Sequence, residues 1–192
     1  RISPGCAGMY KAEHVAAWKR VVDFVHQQTD AKIGAQLGHA GRKAATKVAW
    51  EGGGPLTGPD AWPIIAPSAI PFTPESQTPK AMDRRDMDHV RDAFVRGAGM
   101  AAEAGFDIIE LHFAHGYLLS TFISPLSNKR NDEYGGSLDN RLRYPLEVLR
   151  AVREVWKKPL SMRISAVDWV EGGTTVEDAV EIGRRVKADG LD

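Results

Sequence analysis

Apolar positions recur along this chain with two alternating periods, and the alternation predicts a regular series of helices and strands. Val15, Trp18, Val22 and Val25 fall at i, i+3, i+7 and i+10, one helical face, and predict a helix over 10–28. Residues 32–37, Lys-Ile-Gly-Ala-Gln-Leu, predict a short strand. Helical periodicity returns over 84–104, where Val90, Phe94, Ala98 and Ala101 share a face and Gly105 stands where a C-terminal cap belongs. Phe106-Asp107-Ile108-Ile109-Glu110-Leu111-His112 predicts a strand of the buried parallel type. Leu142, Leu146, Leu149 and Val152 predict a helix over 137–157, with Pro145 marking a kink or a restart. Leu160–Ile164 predicts the next strand. Thr174 and Glu177 have capping-box spacing and predict a helix running to about Ala188, ended by Gly190.

Helices and strands in strict alternation imply a parallel sheet with helical crossovers. Two architectures fit: a (β/α)8 TIM barrel or a doubly wound open sheet. The G-x-G-x-x-G fingerprint of dinucleotide-binding open sheets is absent; Gly5-Cys6-Ala7-Gly8 precedes a helix but has the wrong spacing. A full barrel takes about 250 residues, so this chain is expected to be an incomplete segment of one. Residues 38–80 hold seven of the eleven Pro and six of the nineteen Gly, and a loop so long inside a compact domain is usually functional. Trp50, Trp62, Ile64, Ile65, Ile70 and Phe72 argue against a flexible linker there.

Composition narrows the class. The chain has 192 residues, 43% hydrophobic and 26% charged, which excludes a disordered chain. Lys plus Arg and Asp plus Glu are 25 each, so the basic footprint of a nucleic-acid binder is missing. No run of 18 apolar residues is present to span a membrane. The single cysteine, Cys6, has no internal disulfide partner, which fits a reducing compartment and a cytoplasmic protein. The chain opens on Arg1 rather than Met and closes where a strand should begin, so both ends read as cut.

In either architecture, chemistry collects at the C-terminal ends of the strands. After the first strand stand Gln36-Leu37-Gly38-His39-Ala40-Gly41-Arg42, after the second His112-Phe113-Ala114-His115-Gly116-Tyr117, and within the third Arg163. His112 and His115 could be a metal pair with Glu110 as third ligand, two side chains bonding loop backbone, or two donors for an anionic or carbonyl oxygen. Tyr117 is either loop packing or a proton donor, since a phenol with pKa near 10 keeps its proton at neutral pH. Gln36 offers both a donor and an acceptor, which suits the polar edge of a flat heterocycle. Arg163 either sits in a structural salt bridge or meets a ligand anion or an electron-rich ring edge.

Laid end to end, these segments resemble the old yellow enzyme family of flavin-dependent ene-reductases, over essentially the whole chain. The resemblance rests on Gln36–Arg42, on Gly105-Phe106-Asp107 running into His112–Leu118, and on Phe122-Ile123-Ser124-Pro125-Leu126-Ser127-Asn128-Lys129-Arg130. Asp132-Glu133-Tyr134-Gly135-Gly136-Ser137, Asn140-Arg141, Arg163-Ile164-Ser165 and Ala66-Pro67-Ser68 complete the series. The two-histidine form is typical of the bacterial branch.

The resemblance implies a (β/α)8 barrel, present here as one partial FMN-binding domain over 1–192, from about the second helix to the fifth. It implies non-covalent FMN, with Gln36 on the pyrimidine side of the ring and Arg163 near N1 and C2=O. His112 and His115 would hold the electron-withdrawing oxygen of an unsaturated substrate, and Tyr117 would protonate the α-carbon. NAD(P)H would be the reductant. Met82–Asp88 and Asp168–Gly173 also look like a branch fused behind a flavin hydroxylase that acts on aromatic acyl-CoA thioesters. The partners expected are a small unsaturated or aromatic-derived molecule, a second copy of the chain and, in that branch, the hydroxylase domain; no nucleic acid or membrane is expected. The family's first two and last three strands lie outside the chain, and Cys6 does not correspond to the family's residue near the ring. The isolated chain is therefore expected to purify without flavin. Two other readings stand beside this one: a non-catalytic barrel fragment serving as a structural or interaction module, and a metal-dependent barrel hydrolase.

Overall fold

The first helix, α1 (Ala12–Gln28), buries Val15 and Val22 and half-buries Trp18 and Val25, the stripe its period predicts. We describe it, and residues 1–192 throughout, from a computed structural model. The Trp18 indole N–H donates to the Gly8 carbonyl at 2.8 Å, and its ring meets Phe106 edge-on at 5.7 Å. Strand β1 (Gly34–Leu37) follows and is shorter than predicted, with Lys32 and Ile33 outside it.

The segment 38–80 is not featureless. It holds three short 3-10 turns (Gly41–Lys43, Ala49–Glu51, Gly58–Asp60). It also holds β2 (Ile65–Ala66), whose partner β3 (Lys80–Ala81) runs parallel to it. Only part of its apolar content is anchored. Ile64 is buried in a small cluster with Ala40, Ala44 and Ala45, and Trp62 packs against that cluster. Trp50 is 85% exposed and contributes nothing to the core.

Helix α2 (Arg84–Ala104) starts on a capping box: Asp83 accepts from the Asp86 N–H at 2.9 Å, and Asp86 accepts in return from the Asp83 N–H. It ends on Gly105 in the left-handed region, at φ 93°. Val90, Phe94, Ala98 and Ala101 are all buried, as the pattern predicts.

Strand β4 (Ile108–Phe113) leads into α3 (Leu118–Ile123), a six-residue helix that the sequence patterns do not reveal. All six of its residues are buried, so it carries no amphipathic period to read. Ser137 caps α4 (Leu138–Val155), which runs unbroken through Pro145; the proline does not restart it. Strand β5 (Leu160–Ile164) precedes α5 (Val176–Ala188). The capping box of α5 is formed by Thr175 and Asp178, one residue beyond the predicted Thr174 and Glu177. Thr174 is instead buried, its N–H donating to Asp168 Oδ2 at 2.7 Å.

β1, β4 and β5 form one parallel sheet in the order β1-β4-β5. Ala35, Leu37, Ile109, Leu111, Phe113 and Leu160 pack into a core of 30 buried residues with the apolar faces of α1, α2, α4 and α5. Strand side chains alternate between faces. The opposite face therefore carries Gln36, Glu110, His112, Ser161 and Arg163. β4 is thus not apolar on both faces, as the sequence predicts; one face is core and the other is polar.

Candidate functional site

The register of the sheet brings the polar residues into rows. Gln36 pairs with Glu110 and Glu110 with Ser161; one step further along, His112 pairs with Arg163. Gly38, just past β1, lies flat against His112: a Cβ there would come within 3.2 Å of the His112 Cβ. Gln36, His112, His115, Tyr117 and Arg163, the five residues singled out from the sequence, all line one cavity of about 870 Å³. A cavity of this size is suited to a cofactor-sized ligand.

His112 sits at the C-terminal end of β4 and is 7% exposed. Its Nδ1 accepts the Ala114 N–H at 3.2 Å, so the neutral ring carries its proton on Nε2 and is a donor there. Burial, and then the neighbouring His115, push its pKa below the ordinary imidazole value. The His115 ring stands edge-on to it at 5.0 Å, and the Tyr117 ring does the same from another side, also at 5.0 Å.

His115 has φ 61°, in the left-handed region that non-glycine residues seldom enter. Both its backbone groups are held. Its N–H donates to Ser165 Oγ at 3.0 Å, and its carbonyl accepts from Lys43 Nζ at 2.7 Å. The loops after β1, β4 and β5 therefore join at this residue. Tyr117 is the N-cap residue of α3, and its carbonyl accepts from the Thr121 N–H at 2.9 Å. Next to it, the Leu118 N–H donates to the His39 carbonyl at 2.9 Å, docking α3 against the loop after β1.

Arg163 is exposed rather than buried, and Glu110 is its partner. Arg163 Nε donates to Glu110 Oε1 at 2.9 Å and Nη2 to Oε2 at 3.3 Å. Gln36 Nε2 donates to the same Oε1 at 2.5 Å. The Arg163 hydrogen bond, then the Gln36 one among smaller effects, holds the Glu110 carboxyl below the usual carboxylate range against the opposing effect of burial. Glu110 is thus tied up as an ion pair, and no group of three or more His, Cys, Asp or Glu is arranged to hold a metal. Glu110, weighed from the sequence only as a third metal ligand on the same strand face as His112, is instead the partner of Gln36 and Arg163.

The remaining motif residues brace the site rather than line it. Asn128 Nδ2 donates to the carbonyls of Phe122 and Tyr134, each at 2.8 Å. Arg130 Nη1 donates to the carbonyls of Pro67 at 3.1 Å and Met82 at 2.6 Å, while Nε bonds Asp132. The Lys129 N–H donates to Ser68 Oγ at 2.9 Å. The Ala66-Pro67-Ser68 and Asn128-Lys129-Arg130 motifs therefore meet, pinning the long loop to the segment after α3.

FMN is the group the sequence resemblance implies here, and the donor set fits its ring. A flat heterocycle with a polar edge calls for an amide and a cation side by side. Gln36 and Arg163 supply both, facing the cavity beside the flat wall at Gly38.

Residues 1–190 match the model of the NADH:flavin oxidoreductase / NADH oxidase family. The chain is 48% identical, over all 192 of its residues and 52% of the relative's length, to an NADPH dehydrogenase of Geobacillus sp. (strain WCH70). A solved structure of morphinone reductase in complex with tetrahydroNAD superposes with TM-score 0.81 at 30% identity, covering 96% of this chain and 53% of that one. A 2-naphthoyl-CoA reductase complexed with 2-naphthoyl-CoA superposes with TM-score 0.81 at 27% identity, covering 95% and 28%. The chain spans about half the length of the curated relatives it matches. No helix is long and apolar enough to cross a membrane.

Proposed function

Since the chain belongs to the NADH:flavin oxidoreductase / NADH oxidase family, we propose that it forms the substrate-facing part of an FMN-dependent NAD(P)H oxidoreductase acting on activated C=C bonds. Its βα units belong to the (β/α)8 barrel of the old yellow enzymes, the fold and family its sequence resembles. The observation that carries the reading is the convergence of Gln36, His112, His115, Tyr117 and Arg163, from three adjacent strand ends, on one cavity.

FMN held here would supply the hydride chemistry, with NAD(P)H as reductant and the substrate's β-carbon as acceptor. The residues of this chain orient and polarise. His112, neutral and protonated on Nε2, donates to the substrate's carbonyl or equivalent oxygen, and His115 gives the second donor. Two donors fixed before reaction stabilise the charge that gathers on that oxygen, at no cost of reorganisation. Tyr117, edge-on to His112, gives its phenolic proton to the α-carbon on the side away from hydride delivery. Gln36 would hold the ring's pyrimidine edge, and Arg163 would meet the negative charge that gathers on the reduced ring. An aromatic acyl thioester is one substrate class to test, supported by the likeness to 2-naphthoyl-CoA reductase.

The test uses the full-length protein that carries this chain. It is expected to purify with FMN and to give a long-wavelength charge-transfer band when titrated with a phenol. His112→Ala and His115→Ala should each weaken phenol binding at least tenfold, losing about 1.4 kcal/mol or more. Tyr117→Phe should slow substrate reduction at least tenfold while leaving FMN reduction by NAD(P)H unchanged. A flavin-free protein, or a phenol affinity indifferent to both histidines, overturns the reading.

A further inference from the structure

One charged side chain of the polar face has no part in that proposal. Glu110 lies one layer below His112, between Gln36 and Arg163, and its carboxylate is the only group that touches both. An ionised carboxylate accepts hydrogen bonds and donates none. The contact at 2.5 Å must therefore come from the Gln36 NH2, which settles an amide orientation that is otherwise ambiguous. Gln36 then presents its carbonyl oxygen, with one N–H left over. Arg163 is constrained in the same way: Nε and Nη2 are engaged by the carboxylate, and Nη1 is left for a ligand.

We propose that Glu110 is the positioning residue of the flavin-facing layer, fixing Gln36 as an acceptor for a ring N–H and offsetting the charge of Arg163. This inference rests on the FMN reading above and deepens it. It has two separable consequences. The first is geometric: without the carboxylate, Gln36 is free to turn its amide over and Arg163 to swing, so a pre-organised pair becomes two mobile side chains. The second is electrostatic. The guanidinium favours negative charge on the reduced ring, and the carboxylate beside it weakens that preference. Removing the carboxylate's charge while keeping its shape leaves Arg163 uncompensated, so the ring becomes easier to reduce.

The experiment uses the full-length protein and two readouts other than turnover: FMN affinity of the apoprotein by fluorescence titration, and the flavin midpoint potential by dye equilibration. Glu110→Gln is expected to weaken FMN binding about tenfold and to shift the potential to a more positive value. Glu110→Asp keeps the charge on a shorter arm; it should bind FMN more weakly than wild type while holding the potential close to it. A role confined to stability would lower the melting temperature of both variants and leave the potential unmoved. If wild type binds FMN and Glu110→Gln matches it within twofold in affinity with the same potential, the inference falls. If Glu110→Gln does not fold, a Glu110→Asp variant with wild-type affinity or a displaced potential overturns it. If wild type itself does not bind FMN, the functional reading has failed instead.

Discussion

His39, in the loop after β1, is held neutral by its surroundings. Its Nδ1 accepts the Gly41 N–H at 3.1 Å, and burial pushes its pKa down to about 4 from 6.5. Between pH 4 and 6.5 the unfolded chain therefore binds a proton that the folded chain refuses. Stability rises with pH across that window, is fully present above it, and is lost as the solution is acidified. We expect urea unfolding to show a loss of about 2–3 kcal/mol from this residue alone between the two limits. His39→Gln should flatten the dependence; equal slopes for variant and wild type would remove the explanation. His112 is shifted in the same direction and adds to the same trend. At this scale the five candidates named from the sequence are brought to one cavity. It did not assign the tautomer of His112, the turn-over of Gln36 or the left-handed backbone of His115. Those depend on Ala114, Glu110, Lys43 and Ser165; Lys43 and Ser165 reach His115 from other elements, and Glu110 meets Gln36 only across the sheet.

Among the elements, those with a period were legible and those without one were not. Helices α1, α2 and α4 and strands β4 and β5 fall within a few residues of their predicted spans, because burial on one face writes a repeat into the chain. α3 is buried all round and β2 and β3 are two residues each, so neither repeats anything. Pro145 misled for a related reason: its side chain is buried in the core-facing stripe of α4, and tertiary packing overrides the local preference for a break. The long loop depends on contacts from far along the chain, of which Arg130 is the central one, bonding Pro67 and Met82 while only 13% exposed. Arg130→Met should leave buried carbonyls without a donor and destabilise the protein by about 1–3 kcal/mol. The same variant should be nicked sooner within 52–79 in limited proteolysis. Unchanged cleavage kinetics there would show that the loop holds itself.

For the whole molecule, the open sheet is the dominant feature. β1 and β5 are the two outer strands of β1-β4-β5, so each leaves an edge of backbone donors and acceptors unpaired within this chain. The polar face beneath His112 is likewise uncovered on one side; Gln36 and Arg163 are both exposed. We expect the isolated 192-residue polypeptide to self-associate and to purify colourless. Size exclusion with light scattering and an absorbance spectrum check both, and a monodisperse yellow monomer would contradict the expectation. The balance of 25 basic and 25 acidic residues supplies no net repulsion to oppose such association.

By itself, the sequence determined the α/β alternation, the core faces of the long helices and which polar side chains stand at the strand ends. Each of these follows from residue type and spacing, which are local. Only the tertiary structure decided which side chains meet. Parallel register sets Gln36 beside Glu110 and His112 beside Arg163 across separations of more than fifty residues. No periodic signal spans that distance, because a parallel pairing is stabilised by the whole sheet and the helices covering it rather than by any one segment.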